Sequence, residues 1–271
     1  YKSRTSAQVK YTKRFVNEMN TSHWLHVLSL FALVCYSYAQ ERTDWEREFL
    51  HKGVKTLRIR GYHVKEKGAV AQKGALLAEM NIEKTFDAQG NIVKEIFFDE
   101  RNAETLRYEY TYSKQKVKKY KLHLDPQREK VGITVFNCDG SGNVTKEETY
   151  DGEGVLLYSA FFVYDDAGRQ TESNFLREDF SAKFISTYDH RGRLLEQEQN
   201  IVDKGENILN KAKYRYNNHG DCDRILSLLN RNFAQKKSFE YKYDKKGNWI
   251  GRFEYQDGKP TTIIERQIEY F

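Results

Sequence analysis

The sequence predicts an all-β fold: an antiparallel meander of about eight β-hairpin repeats that forms a curved or curled sheet, with a short N-terminal helix. Three observations predict it. Turn motifs recur every 24 to 28 residues, aromatic and charged residues alternate between them, and seventeen glycines accompany only two prolines. A chain of 271 residues that is 39% hydrophobic can bury a core. Its mean hydropathy of −0.82 excludes a polytopic membrane protein.

Residues 1–39 are predicted to be an N-terminal extension and signal peptide. The apolar segment Trp24–Tyr38 is too short to span a bilayer comfortably, and it ends in Ser37-Tyr38-Ala39, with small residues where a signal peptidase reads. The alternatives are a buried helix or a membrane anchor. Residues 1–39 hold five basic residues and one acidic residue, so residues 40–271 contain 40 Lys and Arg against 38 Asp and Glu, a net charge of +2. This near-balance argues against a nucleic-acid partner.

A short helix is predicted within residues 40–52. Thr43 or Asp44 can cap it, and Trp45, Phe49 and Leu50 would share one face by their i, i+4, i+5 spacing. That apolar face makes the helix a candidate cover for the sheet.

Residues 53–271 are predicted to form the repeat domain, because an aromatic residue followed by Asp or Asn and then by Gly three residues later recurs along them. Weaker turns lie about half a period along, at residues 99–102, 151–154 and 256–259, so each repeat contains two strands and two turns. In such a turn the Asp or Asn side chain accepts a backbone hydrogen bond and Gly takes a positive φ. The predicted structural turn residues are Asp87, Gly90, Asp165, Gly168, Asp189, Gly192, Asn217, Gly220, Asp244 and Gly247.

The strands between the turns alternate aromatic and charged residues, as in Ser238–Tyr243, which predicts one aromatic face and one wet face. A sheet with one apolar face must curl on itself, pack on a partner or be covered. The basic run Ser113–Lys121 is expected to be a solvated strand edge, where lysines discourage pairing. The alternative reading of this run is a site for an anionic polymer.

The turn motifs at Tyr164, Tyr188 and Tyr243, with variants at Phe86 and Tyr216, resemble the YD repeats of the Rhs family of bacterial secreted and surface proteins. The C-terminal stretch Tyr243–Tyr270 looks like the end of small exported proteins of Bacteroidetes type. In large members such repeats build a β-shell around a toxin, and some members bind sugars. Because about eight repeats are expected to be too few for a closed shell, the resemblance implies an open or half-wrapped sheet here.

No catalytic, nucleotide-binding or metal motif occurs in a plausible context, so neither a cofactor nor a metal is expected. Cys138 and Cys222 lie in predicted turns, and a disulfide between them stays open. The aromatic residues near the C-terminus have two readings: they stack on a sugar or an apolar ligand, or they are core. The candidate ligand-stacking residues are Tyr241, Tyr243, Trp249 and Tyr255.

These observations predict an exported, non-catalytic β-repeat protein, located in the periplasm, on the outer surface or in the medium. It would present a surface for an unknown protein or a cell-envelope glycan and would have no stable membrane span after signal cleavage. The alternative is a curled sheet that shelters a lipid or other apolar ligand between its aromatic face and the N-terminal helix. An enzyme is the least favoured reading, because no polar side chains are predicted to converge.

Overall fold

The computed structural model describes residues 43–67, 70–229 and 232–271. The extension and signal peptide predicted for residues 1–39 lie outside these residues. The described part contains one four-residue helix, α1 (Asp44–Arg47), and sixteen strands. The strands are β1 (Val54–Lys67), β2 (Val70–Phe86), β3 (Ile92–Phe98), β4 (Glu104–Tyr112), β5 (Lys118–Leu124), β6 (Lys130–Cys138), β7 (Val144–Asp151), β8 (Leu156–Tyr164), β9 (Gln170–Arg177), β10 (Phe180–Tyr188), β11 (Leu194–Asp203), β12 (Glu206–Tyr216), β13 (Cys222–Leu229), β14 (Asn232–Tyr243), β15 (Trp249–Gln256) and β16 (Lys259–Tyr270).

The strands form a closed barrel in which each strand is antiparallel to its neighbours in sequence. The first strand pairs with both β2 and β16, so that Leu57 lies opposite Ile268 and Ile59 lies opposite Arg266. The predicted open, curved or curled sheet is therefore wrong, as is the expectation that eight hairpins are too few to close. Pairing the first strand with the last satisfies the backbone groups that two free edges would leave unpaired.

The basic run Ser113–Lys121 does not form a strand edge. It contributes to β5, which pairs with β4 on one side and β6 on the other. In this register Lys121 lies opposite both Tyr110 and Thr134 and points into the barrel. The solvated-edge prediction is wrong because a closed barrel has no edge for lysines to protect.

The aromatic-Asp-Gly turns connect every second pair of strands, so they all lie at one end of the barrel. Asp87 shows their geometry: its Oδ1 accepts the backbone N–H groups of Gln89 and Asn91, and its carbonyl accepts the N–H of Gly90. Turns at Asp139, Asp165, Asp189, Asn217 and Asp244 repeat this pattern. Asp99 and Asp151 make the same bonds at the opposite end.

In several repeats the tyrosine that ends a strand bonds to the preceding strand. Its hydroxyl donates to the carbonyl at the start of that strand, as from Tyr216 to Leu194 at 2.7 Å and from Tyr164 to Val144 at 2.8 Å. At the equivalent position before the Asp139 turn stands Cys138, whose thiol donates to the Lys118 carbonyl at 3.7 Å. Cys138 and Cys222 are both free thiols.

Helix α1 lies at the aromatic-turn end of the barrel, where the Asp44 carboxylate accepts the N–H of Ile92 on β3 and the hydroxyl of Tyr112 on β4. Thr43 caps it through a capping box with Glu46. Trp45 is buried, and its Nε1 donates to the Val54 carbonyl at 2.7 Å. The helix ends at Arg47, within the range predicted for it. Phe49 lies beyond the helix, in a left-handed conformation with φ 55°.

Side chains alternate between the barrel interior and the outside. On β10, Phe180, Ala182, Phe184 and Ser186 are buried and face inward. On the outer face, charged residues pair across strands, as Glu196 does with Lys211 and Lys213 at 2.7 and 2.9 Å. Within the described residues no helix has both the length and the apolar character needed to cross a membrane.

Candidate functional site

The inner side of strands β3–β8 carries a group of polar and aromatic side chains, here called the polar inner face. The barrel register places these residues on the same side as α1, because each lies opposite another member across its strand pair. The polar inner face comprises Glu95, Tyr108, Tyr110, Lys121, His123, Thr134, Glu147, Thr149 and Tyr158.

At one side of this face a buried ion-pair network links the sheet to the segment after α1. The Lys84 ammonium lies 2.5 Å from a Glu48 oxygen and 3.1 Å from a Glu95 oxygen, and the Tyr110 hydroxyl donates to Glu95 at 2.5 Å. Burial raises the pKa of Glu95, but Lys84 and the Tyr110 hydroxyl outweigh it, and the pKa lies below its ordinary value. Glu95 is therefore an ionised, fully engaged carboxylate at neutral pH.

In the middle of the face, His123 takes part in a chain of neutral hydrogen bonds. Its Nε2 lies 3.0 Å from the Thr134 hydroxyl, which lies 2.7 Å from that of Thr149. Burial, with a smaller contribution from Lys121, lowers the pKa of His123 to about 3. The imidazole is thus neutral at physiological pH.

Lys121 is the cation of the polar inner face. Among the described residues, no carboxylate lies at ion-pair distance from its ammonium group. Its Nζ lies 4.7 Å from the centre of the Tyr108 ring, a cation–π arrangement. The Tyr108 ring also lies against the His123 ring, with 4.5 Å between centroids. Burial raises the pKa of Tyr108 to about 12, so its hydroxyl keeps its proton and stays a donor.

Most of the large side chains of the polar inner face are only half-buried, whereas the small ones between them are buried. Tyr108, Lys121 and Tyr158 keep partial exposure, but Thr134 is 0% and Thr149 3% exposed. Because the large side chains point inward, solvent reaches them from inside the barrel. The aromatic and charged groups of this face are therefore inward groups that keep some contact with solvent.

Strands β10–β14 differ, and their inward residues are called here the packed inner face. Its apolar members are buried in two clusters. The side-chain amides of Gln197, Gln199 and Asn210 form hydrogen bonds with one another and with Ser186, so these polar groups find their partners within the same face. The buried apolar members are Phe180, Ala182, Phe184, Leu194, Ile201, Ala212, Tyr214, Cys222, Ile225 and Phe239.

Three of the four predicted ligand-stacking residues lie near one another, and the fourth lies on the opposite face of the sheet. Tyr241, Tyr243 and Trp249 face the interior, with Tyr241 5.9 Å from Trp249 and 6.1 Å from Tyr243 between ring centroids. Tyr255 lies opposite Ser238 on the outer face, where its hydroxyl donates to Glu240 at 3.2 Å. Trp249 is 5% exposed and the Tyr241 hydroxyl donates to the Cys222 carbonyl, so both are engaged in the interior.

Sequence reasoning missed Lys121 because the run Ser113–Lys121 was expected to be a solvated strand edge, and it gave Glu95 and His123 no role in a site. The available signal was the alternation of Tyr108, Tyr110 and Tyr112 on β4, which requires polar partners opposite them on the neighbouring strands. Among the described residues no group of three or more His, Cys, Asp or Glu side chains is placed to hold a metal ion.

No family model and no curated protein matches the chain, so the resemblance to YD repeats stays a prediction. Among solved structures, a porin-like protein from Bacteroides uniformis aligns with a TM-score of 0.50 and 8% identity, over 80% of this chain and 96% of that one. One from Bacteroides vulgatus aligns with a TM-score of 0.48 and 13% identity, over 82% and 99%. A Tc holotoxin pore structure from Photorhabdus luminescens gives a TM-score of 0.20 and 11% identity, over 71% of this chain and 15% of that one. The first match shows a shared barrel fold and nothing more.

Proposed function

We propose that this protein is an exported, non-catalytic binding protein whose polar inner face holds a cell-envelope glycan. The observation that carries the proposal is the half-buried Tyr108 ring beside Lys121, facing the barrel interior. An aromatic ring stacks on the apolar face of a sugar, and neighbouring polar groups bond its hydroxyls.

The composition of this face favours a sugar over a lipid. Lys121 and Glu147 would be left without water by an aliphatic chain, whereas sugar hydroxyls replace that water. The alternative reading places an apolar ligand between α1 and the aromatic side of the sheet, but there Trp45 and Leu50 are buried, at 4% and 6% exposure.

The titratable groups of the face support binding rather than catalysis. General acid–base catalysis at neutral pH needs a group whose pKa lies near 7. The pKa of His123 is lowered to about 3 by burial, and that of Glu95 lies below its ordinary value because Lys84 and Tyr110 stabilise the carboxylate. Neither side chain suits proton transfer at that pH.

The outer face supports a barrel that works in water rather than in a bilayer. A membrane barrel carries an outward apolar band, and lysine near the middle of that band is costly. Here Lys183, Lys211 and Lys213 point outward from β10 and β12, each paired with a glutamate of a neighbouring strand. Strands β3, β5, β7 and β9, at seven or eight residues, are also shorter than the 9–11 or so that a spanning strand needs.

The test is glycan binding by the chain purified without detergent. We expect saturable binding to a printed array of bacterial surface glycans, confirmed by calorimetry with the strongest responder. Tyr108→Ala should weaken that binding at least tenfold. The matched control is Tyr120→Ala, since Tyr120 lies on the next strand but faces outward and is 37% exposed.

Equal affinity in the wild type and Tyr108→Ala would contradict the proposed site, and so would an array without any response. Lipid recovered from the purified protein would favour the apolar alternative. A requirement for detergent would contradict the water-facing outer surface.

A further inference from the structure

Two buried arginines converge on one tryptophan inside the barrel, on strands β15 and β16. The Arg266 guanidinium carbon lies 3.4 Å from the centre of the Trp249 ring, and that of Arg252 lies 5.2 Å from it. Arg252 is 7% exposed and Arg266 is 8% exposed. Both belong to the inward side, because Arg266 lies opposite Ile59 and Arg252 opposite Tyr241.

Several N–H groups of these arginines have no acceptor among the described residues. Arg266 donates through Nη2 to the Glu48 carbonyl at 3.0 Å, but its Nε and Nη1 are unsatisfied. Arg252 donates through Nη2 to the Glu254 carboxylate, while its Nε is unsatisfied. A buried N–H without a partner is costly, so native proteins rarely leave three within one cluster.

The nearby carboxylates are committed elsewhere. Glu254 pairs with Arg252, and the Glu48 carboxylate pairs with Lys84. Asp221 accepts the Tyr243 hydroxyl at 2.8 Å and is not at ion-pair distance from either arginine. Arg266 is therefore a buried cation that has no carboxylate partner in the described part of the chain. Its burial lowers its pKa to about 9, the direction expected for an incompletely paired guanidinium.

We propose that Arg266 and Arg252 form an anion site inside the barrel that binds the carboxylate of a ring-shaped organic acid, such as a uronic acid. A guanidinium presents its N–H donors in one plane, which matches a planar carboxylate. Because the Arg266 guanidinium stacks on Trp249, its free N–H edges point along the indole surface rather than into it. A ligand carboxylate on those edges has its ring beside Trp249 and the neighbouring Tyr241.

A carboxylate suits this site better than phosphate does. The two arginines already have Glu254 as a partner and Asp221 close by. A single further negative charge completes the pairing of Arg266, whereas a divalent phosphate brings an excess of negative charge into a buried site. The proposal does not depend on the glycan site, because its residues lie on other strands.

The test compares anions at constant ionic strength with the full chain. Thermal unfolding is followed in sodium chloride, acetate, glucuronate, phosphate and the neutral control glucose. We expect glucuronate to raise the unfolding midpoint in a saturable way, acetate to do so more weakly, and chloride and glucose to have no such effect. Stabilisation by phosphate alone, or equal stabilisation by all anions, would overturn the proposal.

Two variants locate the effect. Arg266→Gln should abolish the response to glucuronate, whereas Arg215→Gln removes the same charge from the exposed Arg215–Asp223 pair and should keep it. If Arg266→Gln does not fold, Arg252→Gln takes its place, and the anion comparison on the wild type still decides the question. A response that survives in the Arg266→Gln or Arg252→Gln variant places the anion elsewhere and contradicts the site. If water alone satisfies these arginines, no anion will stabilise the wild type or any variant, and that result also rejects the proposed anion site.

Discussion

Strands β10–β14 and strands β3–β8 are built from the same hairpin repeat, but their inward side chains differ. On β10 the inward residues Phe180, Ala182 and Phe184 are at most 8% exposed. On β4 and β5 the inward residues Tyr108, Lys121 and His123 are half-buried and polar or aromatic. The turns repeat because the backbone requires them, while the inward positions are free to differ. One part of the barrel is thus closely packed, and the other keeps polar and aromatic side chains partly exposed.

The largest effect should come from truncating a residue of the packed inner face. Phe184 is 4% exposed and packs edge-to-face on Phe175, with 5.8 Å between ring centroids. Phe184→Ala should lower the free energy of unfolding by about 4 kcal/mol, because it removes buried area and leaves a cavity. Denaturant unfolding curves measure this loss.

The control for this comparison is Phe162→Ala. Phe162 also faces inward and contacts Phe175, with 6.0 Å between centroids, but it is half-buried. We expect a loss of about 2 kcal/mol, since less buried area is removed. Equal losses for the two variants would mean that the interior is packed evenly and that the contrast between the two faces is absent.

The next effect depends on pH and belongs to the polar inner face. The pKa of His123 is lowered by burial to about 3 in the folded chain, against an ordinary value of 6.5. Protonation therefore favours the unfolded state: stability is complete above about pH 6.5 and is lost as the pH falls toward 3. At pH 4 the loss from this group should be about 3 kcal/mol.

His123→Gln should remove this part of the acid sensitivity. The measurement is the difference between the free energies of unfolding at pH 7 and pH 4, which should be about 3 kcal/mol smaller in the variant. His190→Gln is the control, because His190 is an exposed turn residue. An unchanged difference in His123→Gln would show that this imidazole is not shielded from water.

The smallest effect concerns the neutral hydrogen bonds of the same face. Thr134→Val removes a hydroxyl that lies 2.7 Å from Thr149 and 3.0 Å from His123, and should cost about 1–2 kcal/mol. Thr145→Val, on the outer face, removes an exposed hydroxyl and should cost almost nothing. If both variants unfold at the same denaturant concentration as the wild type, water replaces the lost partner of Thr149, and the hydrogen-bond chain of the polar inner face is open to solvent.

The turns could be predicted from the sequence because they are local. Asp165 bonds to the N–H groups of Ala167 and Arg169, and Gly168 has φ 68°, so all the relevant atoms lie within five residues. Closure could not be predicted, because Leu57 and Ile268 meet across more than two hundred residues without any local signature. That Tyr255 and Tyr241 lie on opposite faces of the sheet could not be predicted either. One strand does not reveal which of its faces turns inward until its register with β14 is known.

The pairing of β1 with β16 also constrains the order of events during synthesis. Strand β1 lacks one neighbour until β16 has been synthesised, and contacts so distant in sequence form slowly. Until then the growing sheet has two edge strands whose unpaired backbone groups can pair with other chains. If the chain crosses a membrane before it folds, aggregation through these unpaired edges becomes a risk after the crossing. A chaperone that binds the unpaired strands there would lower that risk.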